Sequence, residues 1–130
     1  MYSLELKQLA TDKTHVYADE PGFEHLCSCR NRTCADYVDI YVKRIDDHTV
    51  EMRHKGEGCM FSKASAHVLC ERVKGMSMND AKEYLVQNLE RLDNGEYGEV
   101  FAAFSGIPLD SSRTVCYRYV WAGCRDCFSE

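Results

Sequence analysis

Three cysteines and one aspartate stand where the sequence changes from loop to regular element. Cys34 opens Cys34-Ala35-Asp36, just ahead of an alternating strand pattern. Cys59 closes Gly56-Glu57-Gly58-Cys59, between a second strand pattern and a helix, and Cys116 lies near the start of the last helical stretch. Three thiolates and a carboxylate make a four-ligand set that suits zinc or an iron–sulfur cluster. The ligands are far apart in sequence, so only the fold can assemble them. Cys59 follows a glycine pair and precedes a helix start, where free N–H groups stabilise negative charge and favour a thiolate that can bind metal or act as a nucleophile. Asp36, two residues from Cys34, shares its face in an extended strand and could equally turn toward the same ion from a loop. Read alone, a cysteine of this kind is a small buried hydrophobe and Asp36 a solvated turn residue.

The elements that must position these residues read as follows. Val38, Ile40 and Val42 alternate with Tyr37, Asp39, Tyr41 and Lys43, the period of a half-buried strand. A turn at Asp46-Asp47 leads to a second alternation through Thr49–Lys55, with Val50, Met52 and His54 on one side, giving an antiparallel hairpin. Residues 1–30 read as irregular, with one short helix near Leu4–Ala10. After Cys59 the period lengthens: Ala66, Leu69, Cys70 and Val73 share a helical face that Gly75 terminates. Ser77 caps a next helix lined by Ala81, Leu85, Leu89 and Leu92 and ended by Asn94-Gly95. A short helix over Glu99–Phe104 and a loop at Ser105–Leu109 precede a last helix, capped by Ser111 or Ser112, that buries Val115, Tyr119 and Val120. Strands first and helices second indicate an α+β domain: a small antiparallel sheet of about three strands covered by helices, one domain over residues 1–130.

Composition narrows the function classes. A net charge of −5 with no basic run argues against nucleic-acid binding. No eighteen successive apolar residues are available to span a bilayer, and the charged start Glu5-Leu6-Lys7 lacks a signal peptide's apolar core, so the expectation is a cytoplasmic protein with no membrane partner. Eight cysteines in such a chain read as reduced, metal-binding thiols rather than a disulfide framework.

Thr33-Cys34-Ala35-Asp36 resembles the N-P-x-C-G-D segment of the U-type iron–sulfur scaffold family (IscU, SufU and the N-terminal domain of NifU). Gly56-Glu57-Gly58-Cys59 followed by Ser62-Lys63-Ala64-Ser65-Ala66 resembles that family's G-x-G-C-x-x-S-x-A-S-A segment, and Val73-Lys74-Gly75 and Cys116 follow in family order. The resemblance runs from about Arg30 to Trp121. Ala35 replaces the usual glycine, Val115 stands where IscU carries a histidine, and Ile107-Pro108-Leu109 replaces a Leu-Pro-Pro-Val-Lys segment. With no histidine there, Asp36 becomes the fourth ligand, and the long segment from Met76 to Cys116 is similar to the insertion of the SufU branch.

The resemblance implies a SufE/NifU-like fold and three cysteines, Cys34, Cys59 and Cys116, as candidate persulfide acceptors. It implies that Cys34, Asp36, Cys59 and Cys116 bind an iron–sulfur cluster of the 2Fe–2S kind, or Zn2+. It further implies a cysteine desulfurase as sulfur donor and apo iron–sulfur proteins or cluster carriers as recipients. A scaffold needs no turnover of its own. The alternative is a zinc-dependent sulfurtransferase of the SufU type, and a third reading is a zinc-stabilised interaction domain without sulfur chemistry.

Four further cysteines lie outside the family pattern. Cys27-Ser28-Cys29 and Cys124-Arg125-Asp126-Cys127 have metal-like spacing and could close a second zinc site from the two ends of the chain; a redox pair at Cys124 and Cys127 is the other chemical reading. Cys70 reads as core. Arg113 lies one turn before Cys116, placed either to stabilise thiolate charge or to face solvent. His54 and His67 carry no assigned role.

Overall fold

The computed structural model describes residues 4–46 and 50–128. The elements are α1 (Leu4–Thr11), β1 (Glu24–Arg30), β2 (Tyr37–Arg44), β3 (Val50–Glu57), α2 (Met60–Val73), α3 (Met78–Asp93), a single 3-10 turn (Ala102–Phe104) and α4 (Thr114–Phe128). The sheet is antiparallel in the order β1-β2-β3. This is the α+β architecture read from the sequence. Val38, Ile40 and Val42 point into the core and pair across the strands with Gly56, His54 and Met52 of β3. The turn read at Asp46-Asp47 and the strand start at Thr49 lie partly outside the described residues.

One strand was not legible. The region before Arg30, read as irregular apart from its helix, contains β1. Its inward positions are Cys27 and Cys29, partnered with Ile40 and Val38, and a bulge between His25 and Cys27 interrupts the alternation just before them. Two thiols as the apolar set, after a break in period, do not register as a strand pattern.

Helix α2 is the centre of the molecule. Phe61, Ser62, every residue from Ala64 to Cys70, and Val73 are buried. Its small Ala and Ser side chains let α1, α4 and β3 approach it together. Helix α3 begins as read: the Ser77 hydroxyl accepts from the Asp80 N–H (3.0 Å), and Ala81, Leu85, Leu89 and Leu92 are buried. Only Ala102–Phe104 of the short helix read at Glu99–Phe104 is helical, and it is 3-10. In α4 the buried set is Tyr117, Val120, Trp121 and Cys124, spaced for one helical face, with Tyr119 buried beside it. Val115, read as buried, is 40% exposed. It lies in the first turn, and Tyr117 takes the inward position by stacking on Phe104 (ring centroids 4.2 Å apart).

Three histidines are packed where α1, β3 and α2 meet. The segment after α1 is pinned to β3 by His54 N–H to the His15 carbonyl (2.9 Å) and Tyr17 N–H to the His54 carbonyl (2.8 Å). His15 Nε2 bonds Glu71 Oε2, His67 Nε2 faces Asp12 Oδ2 at 3.7 Å, and the His15 and His67 rings lie 5.1 Å apart. His54 Nε2 has no hydrogen-bond partner among the described residues. Burial, with His67 and His15 nearby, lowers the His54 pKa to about 4, and burial also lowers that of His67. Such a group supports the fold fully above its unfolded value near 6.5, and that support is lost as the pH falls toward 4, because the unfolded chain takes up a proton that the folded pocket refuses. The drop to about 4 corresponds to about 3 kcal/mol. Denaturant unfolding at stepped pH should therefore show stability falling between about pH 6.5 and 4, with a shallower fall in His54→Leu; an unchanged slope in that variant would assign the acid sensitivity to other groups.

Candidate functional site

The loop from β1 to β2 presents Cys34 and Asp36. It is shaped by Asn31, a buried residue whose side-chain oxygen accepts from the N–H (3.0 Å) and hydroxyl (2.8 Å) of Thr33. Its backbone N–H bonds the Asp36 carbonyl (3.0 Å), and the Cys34 N–H reaches back to the Asn31 carbonyl (3.3 Å). The loop is thus a closed turn rather than an extension of the strand. Cys34 is exposed at its tip, and Asp36 is half-buried at its base.

Cys59 is the N-cap residue of α2, with extended backbone (φ −73°, ψ 173°). The approach to it depends on Gly56: a Cβ there would lie 2.1 Å from the Tyr37 carbonyl oxygen, so no side chain fits where β3 passes β2. The Cys59 N–H, one of the free donors of a helix start, donates to Asp36 Oδ2 at 3.3 Å. That bond joins the Cys34–Asp36 loop to the positive end of α2.

Cys116 arrives from the first turn of α4. Its carbonyl accepts from the Ser62 hydroxyl (3.0 Å), and Asn31 Nδ2 stands 3.8 Å from its sulfur. Burial, then the charge and hydrogen bonding of Cys59, with Cys34 and Asp36 adding to them, push the Cys116 thiol above its ordinary value.

Ser62 joins the pieces. Its oxygen lies 3.4 Å from Asp36 Oδ2, 3.7 Å from the Cys59 sulfur and 3.0 Å from the Cys116 carbonyl, and it accepts from the Tyr119 hydroxyl at 2.9 Å. One buried hydroxyl therefore touches the loop, the N-terminus of α2 and α4. Ser65 repeats the arrangement one turn later, donating to the Tyr117 carbonyl at 2.6 Å.

The structure thus connects Asp36, Cys59 and Cys116, all half-buried, through Ser62, with Cys34 exposed on the same loop as Asp36. Arg113 lies over the Phe61 ring, 5.7 Å from its centroid. Cys70 is fully buried in the core, as read. Asn31 and Tyr119 position this site without having been singled out for it. An Asn two residues before a Thr at a strand end is a turn signal that could have found Asn31, whereas the Tyr119 contact depends on α4 packing against α2. The structure also brings Cys27, Cys29, Cys124 and Cys127 to the seam where α4 packs on β1. Among the described residues, the one trio of His, Cys, Asp or Glu ligand atoms all within 4.8 Å of one another is His15, His67 and Glu71, where a His–Glu hydrogen bond already satisfies two of the three.

Comparison with known proteins bears on the family and the fold. The family model described as NifU-like N terminal domain matches residues 12–97, a stretch that contains Cys34, Asp36 and Cys59 and stops short of Cys116. The chain is 30% identical over 97 residues to the iron–sulfur cluster assembly scaffold protein IscU of Thermotoga maritima, covering 71% of this chain and 68% of that protein. It is 28% identical over 97 residues to the zinc-dependent sulfurtransferase SufU of Bacillus subtilis, covering 70% of this chain and 65% of the relative, just under two thirds of its length. Among solved structures, a proposed iron–sulfur cluster assembly scaffold protein for the SUF system from Fervidobacterium islandicum superposes with a TM-score of 0.78 at 21% identity, covering 98% of this chain and 96% of that one. A NifU-like N-terminal protein from Brucella abortus gives 0.72 at 18% identity, covering 98% and 91%.

Replacing Ser62 by Ala removes the acceptor of a buried tyrosine and a donor at the site. Chemical denaturation of Ser62→Ala should show a loss of about 1–3 kcal/mol, with Tyr119→Phe recovering part of it in the double variant. Additive losses from the two substitutions would mean that the hydroxyls do not act together.

Proposed function

The chain belongs to the family of NifU-like N-terminal domains, a family of U-type iron–sulfur cluster scaffolds, and on that premise we propose that it assembles iron–sulfur clusters on Cys34, Asp36, Cys59 and Cys116. A cysteine desulfurase supplies sulfur as a persulfide. A thiolate of the site attacks the outer sulfur and the desulfurase thiolate leaves. An external reductant then delivers the two electrons that convert the sulfane sulfur to sulfide. Iron and sulfide accumulate as a 2Fe–2S cargo that passes to apo-proteins or cluster carriers.

The observation that supports this reading is the mixed ligand set on a graded surface. Three thiolates suit a soft iron–sulfur centre, and a carboxylate is the hardest and weakest member of the set for such a cargo. Cys34, at the exposed tip of its loop, is the thiol that a partner's persulfide can reach first. Cys59 and Cys116 are more enclosed and hold what Cys34 receives. Asp36 is oriented in advance through Oδ2 by the Cys59 N–H, which leaves Oδ1 as the oxygen for the metal.

A second reading, a zinc-dependent sulfurtransferase, is favoured by the same carboxylate. Three sulfurs and one oxygen also make a tetrahedral zinc site, and a thiolate released from zinc is a nucleophile for persulfide sulfur. In that reading the protein carries one sulfur at a time and builds no cluster. No described helix is long and apolar enough to cross a membrane, and we place the activity in the cytoplasm beside its desulfurase.

Anaerobic reconstitution with ferrous iron, cysteine, a reductant and a cysteine desulfurase separates the two readings. The scaffold account expects visible absorption with acid-labile sulfide bound to the chain, and transfer of both to an apo-ferredoxin. Colourless protein that retains zinc and still accelerates sulfur release from the desulfurase would establish the sulfurtransferase instead. In the reconstituted protein, Asp36→Ala should slow transfer to the apo-ferredoxin by several-fold, and each of Cys34→Ser, Cys59→Ser and Cys116→Ser should reduce cluster occupancy. Equal transfer rates in the parent protein and in Asp36→Ala would make the carboxylate a turn residue only.

A further inference from the structure

The proposed cluster site uses three of the eight cysteines, and Cys70 packs in the core. The remaining four are not scattered. Cys27 and Cys29 are the inward pair of β1, two residues apart on one face of the strand. Cys124 and Cys127 are three apart on α4, hence on one face of the helix. Helix α4 packs directly on β1. The Cys27 and Cys29 sulfurs are 3.9 Å apart, and the Cys27 thiol interacts with those of Cys124 and Cys127, although no three of the four sulfurs all lie within 4.8 Å of one another. The Cys29 thiol also donates to the Val120 carbonyl, at 3.3 Å.

The backbone is adapted to this contact. Gly123 sits beside Cys124 on α4, and a Cβ at that position would lie 2.8 Å from the Cys29 sulfur and 3.1 Å from its Cα. Helix and strand therefore meet at the cysteines themselves, with the glycine removing the side chain that would separate them. Cys27, Cys29 and Cys124 are almost wholly buried, and Cys127 is half-buried at the mouth.

From this geometry we propose that Cys27, Cys29, Cys124 and Cys127 bind a single zinc ion in a closed tetrathiolate site that fastens the end of α4 to β1. Four thiolates, two from a Cys-x-Cys strand and two from a Cys-x-x-Cys helix turn, complete a tetrahedron and leave no position for substrate, the arrangement of a structural rather than a catalytic zinc. The separation of 3.9 Å between the first two sulfurs matches the edge of about 3.8 Å that a tetrahedron with zinc–sulfur bonds of about 2.3 Å requires. In a 4Fe–4S cluster each thiolate sits on its own iron and the sulfurs stand farther apart. The ion would draw the other sulfurs in to the same bond length. Zinc with four thiolates carries a net charge of −2. Cys70, fully buried on α2, lies outside the Cys-x-Cys and Cys-x-x-Cys pairs and is not assigned as a ligand.

This site is independent of the cluster reading, and its test keeps the two apart. In the triple variant Cys34→Ser/Cys59→Ser/Cys116→Ser, which removes every thiol of the other site, elemental analysis of the purified full chain should find one equivalent of zinc and no labile sulfide. Exchange with cobalt(II) should give the intense absorption of tetrahedral thiolate coordination. Adding Cys27→Ser, Cys29→Ser, Cys124→Ser and Cys127→Ser to that chain should abolish the zinc, whereas adding Cys70→Ala should leave it in place. In case the sevenfold variant does not fold, Cys127→Ser alone, at the half-buried position, should weaken cobalt binding at least tenfold and shift its spectrum. The proposal is overturned if the triple variant holds no metal or holds iron, if Cys127→Ser leaves the cobalt spectrum unchanged, or if intact-mass analysis under non-reducing conditions shows these cysteines joined as disulfides.

Discussion

The hydroxyl of Ser62 is where three separate parts of the chain become one site. It lies one turn into α2, accepts from Tyr119 of α4, and reaches both the Cys116 carbonyl and the Asp36 carboxylate. A hydroxyl has one proton to give, and its nearer acceptor is the Cys116 carbonyl at 3.0 Å, so Asp36 takes its closest donor from the Cys59 N–H instead. Each ligand is thereby held by a bond to a neighbouring ligand's element. Cys59 is fixed by its place at the helix start, Asp36 by the Cys59 N–H, and Cys116 by Ser62 and Asn31. These bonds fix the elements that carry Asp36, Cys59 and Cys116 relative to one another.

The same framework grades access. The three held residues stand at the ends of regular elements, while Cys34 is exposed on a short loop that Asn31 and the Asp36–Cys59 bond hold in place. An exposed thiolate can meet a partner protein and an enclosed pair can protect what it delivers, which suits a site whose contents must both enter and leave. The second cysteine cluster is arranged in the opposite way, with Cys27, Cys29 and Cys124 buried in a packed seam and Cys127 half-buried. Access, more than ligand identity, separates a site built for exchange from one built to stay closed.

Much of this was legible in the sequence, and the parts that were not share a cause. Strands β2 and β3 show because valine, isoleucine and methionine alternate on their inner face. Helix α3 shows because its leucines recur at helical spacing behind a serine cap. Strand β1 does not show, since its inner face is built of cysteines and a bulge breaks its period just before them. Val115 was misread because the inward face of α4 is set by the stacking of Tyr117 on Phe104, a contact between distant residues that periodicity cannot contain. Cys59 and its glycines could be read locally, since a close strand approach and a helix start both leave marks in sequence. The roles of Ser62, Tyr119 and Asn31 could not, because each depends on which elements meet.

The central claim is that three thiolates and the Asp36 carboxylate share one metal-bearing site. X-ray absorption at the metal edge tests it most directly, on reconstituted protein in which Cys27, Cys29, Cys124 and Cys127 are replaced so that no other cysteine cluster contributes. For a bound zinc the account predicts three sulfur neighbours and one oxygen, with the oxygen lost or replaced in Asp36→Ala. For a bound cluster it predicts bridging sulfide together with that same oxygen. Sulfur-only coordination that Asp36→Ala leaves untouched, or a ligand shell that includes a histidine nitrogen, would contradict it.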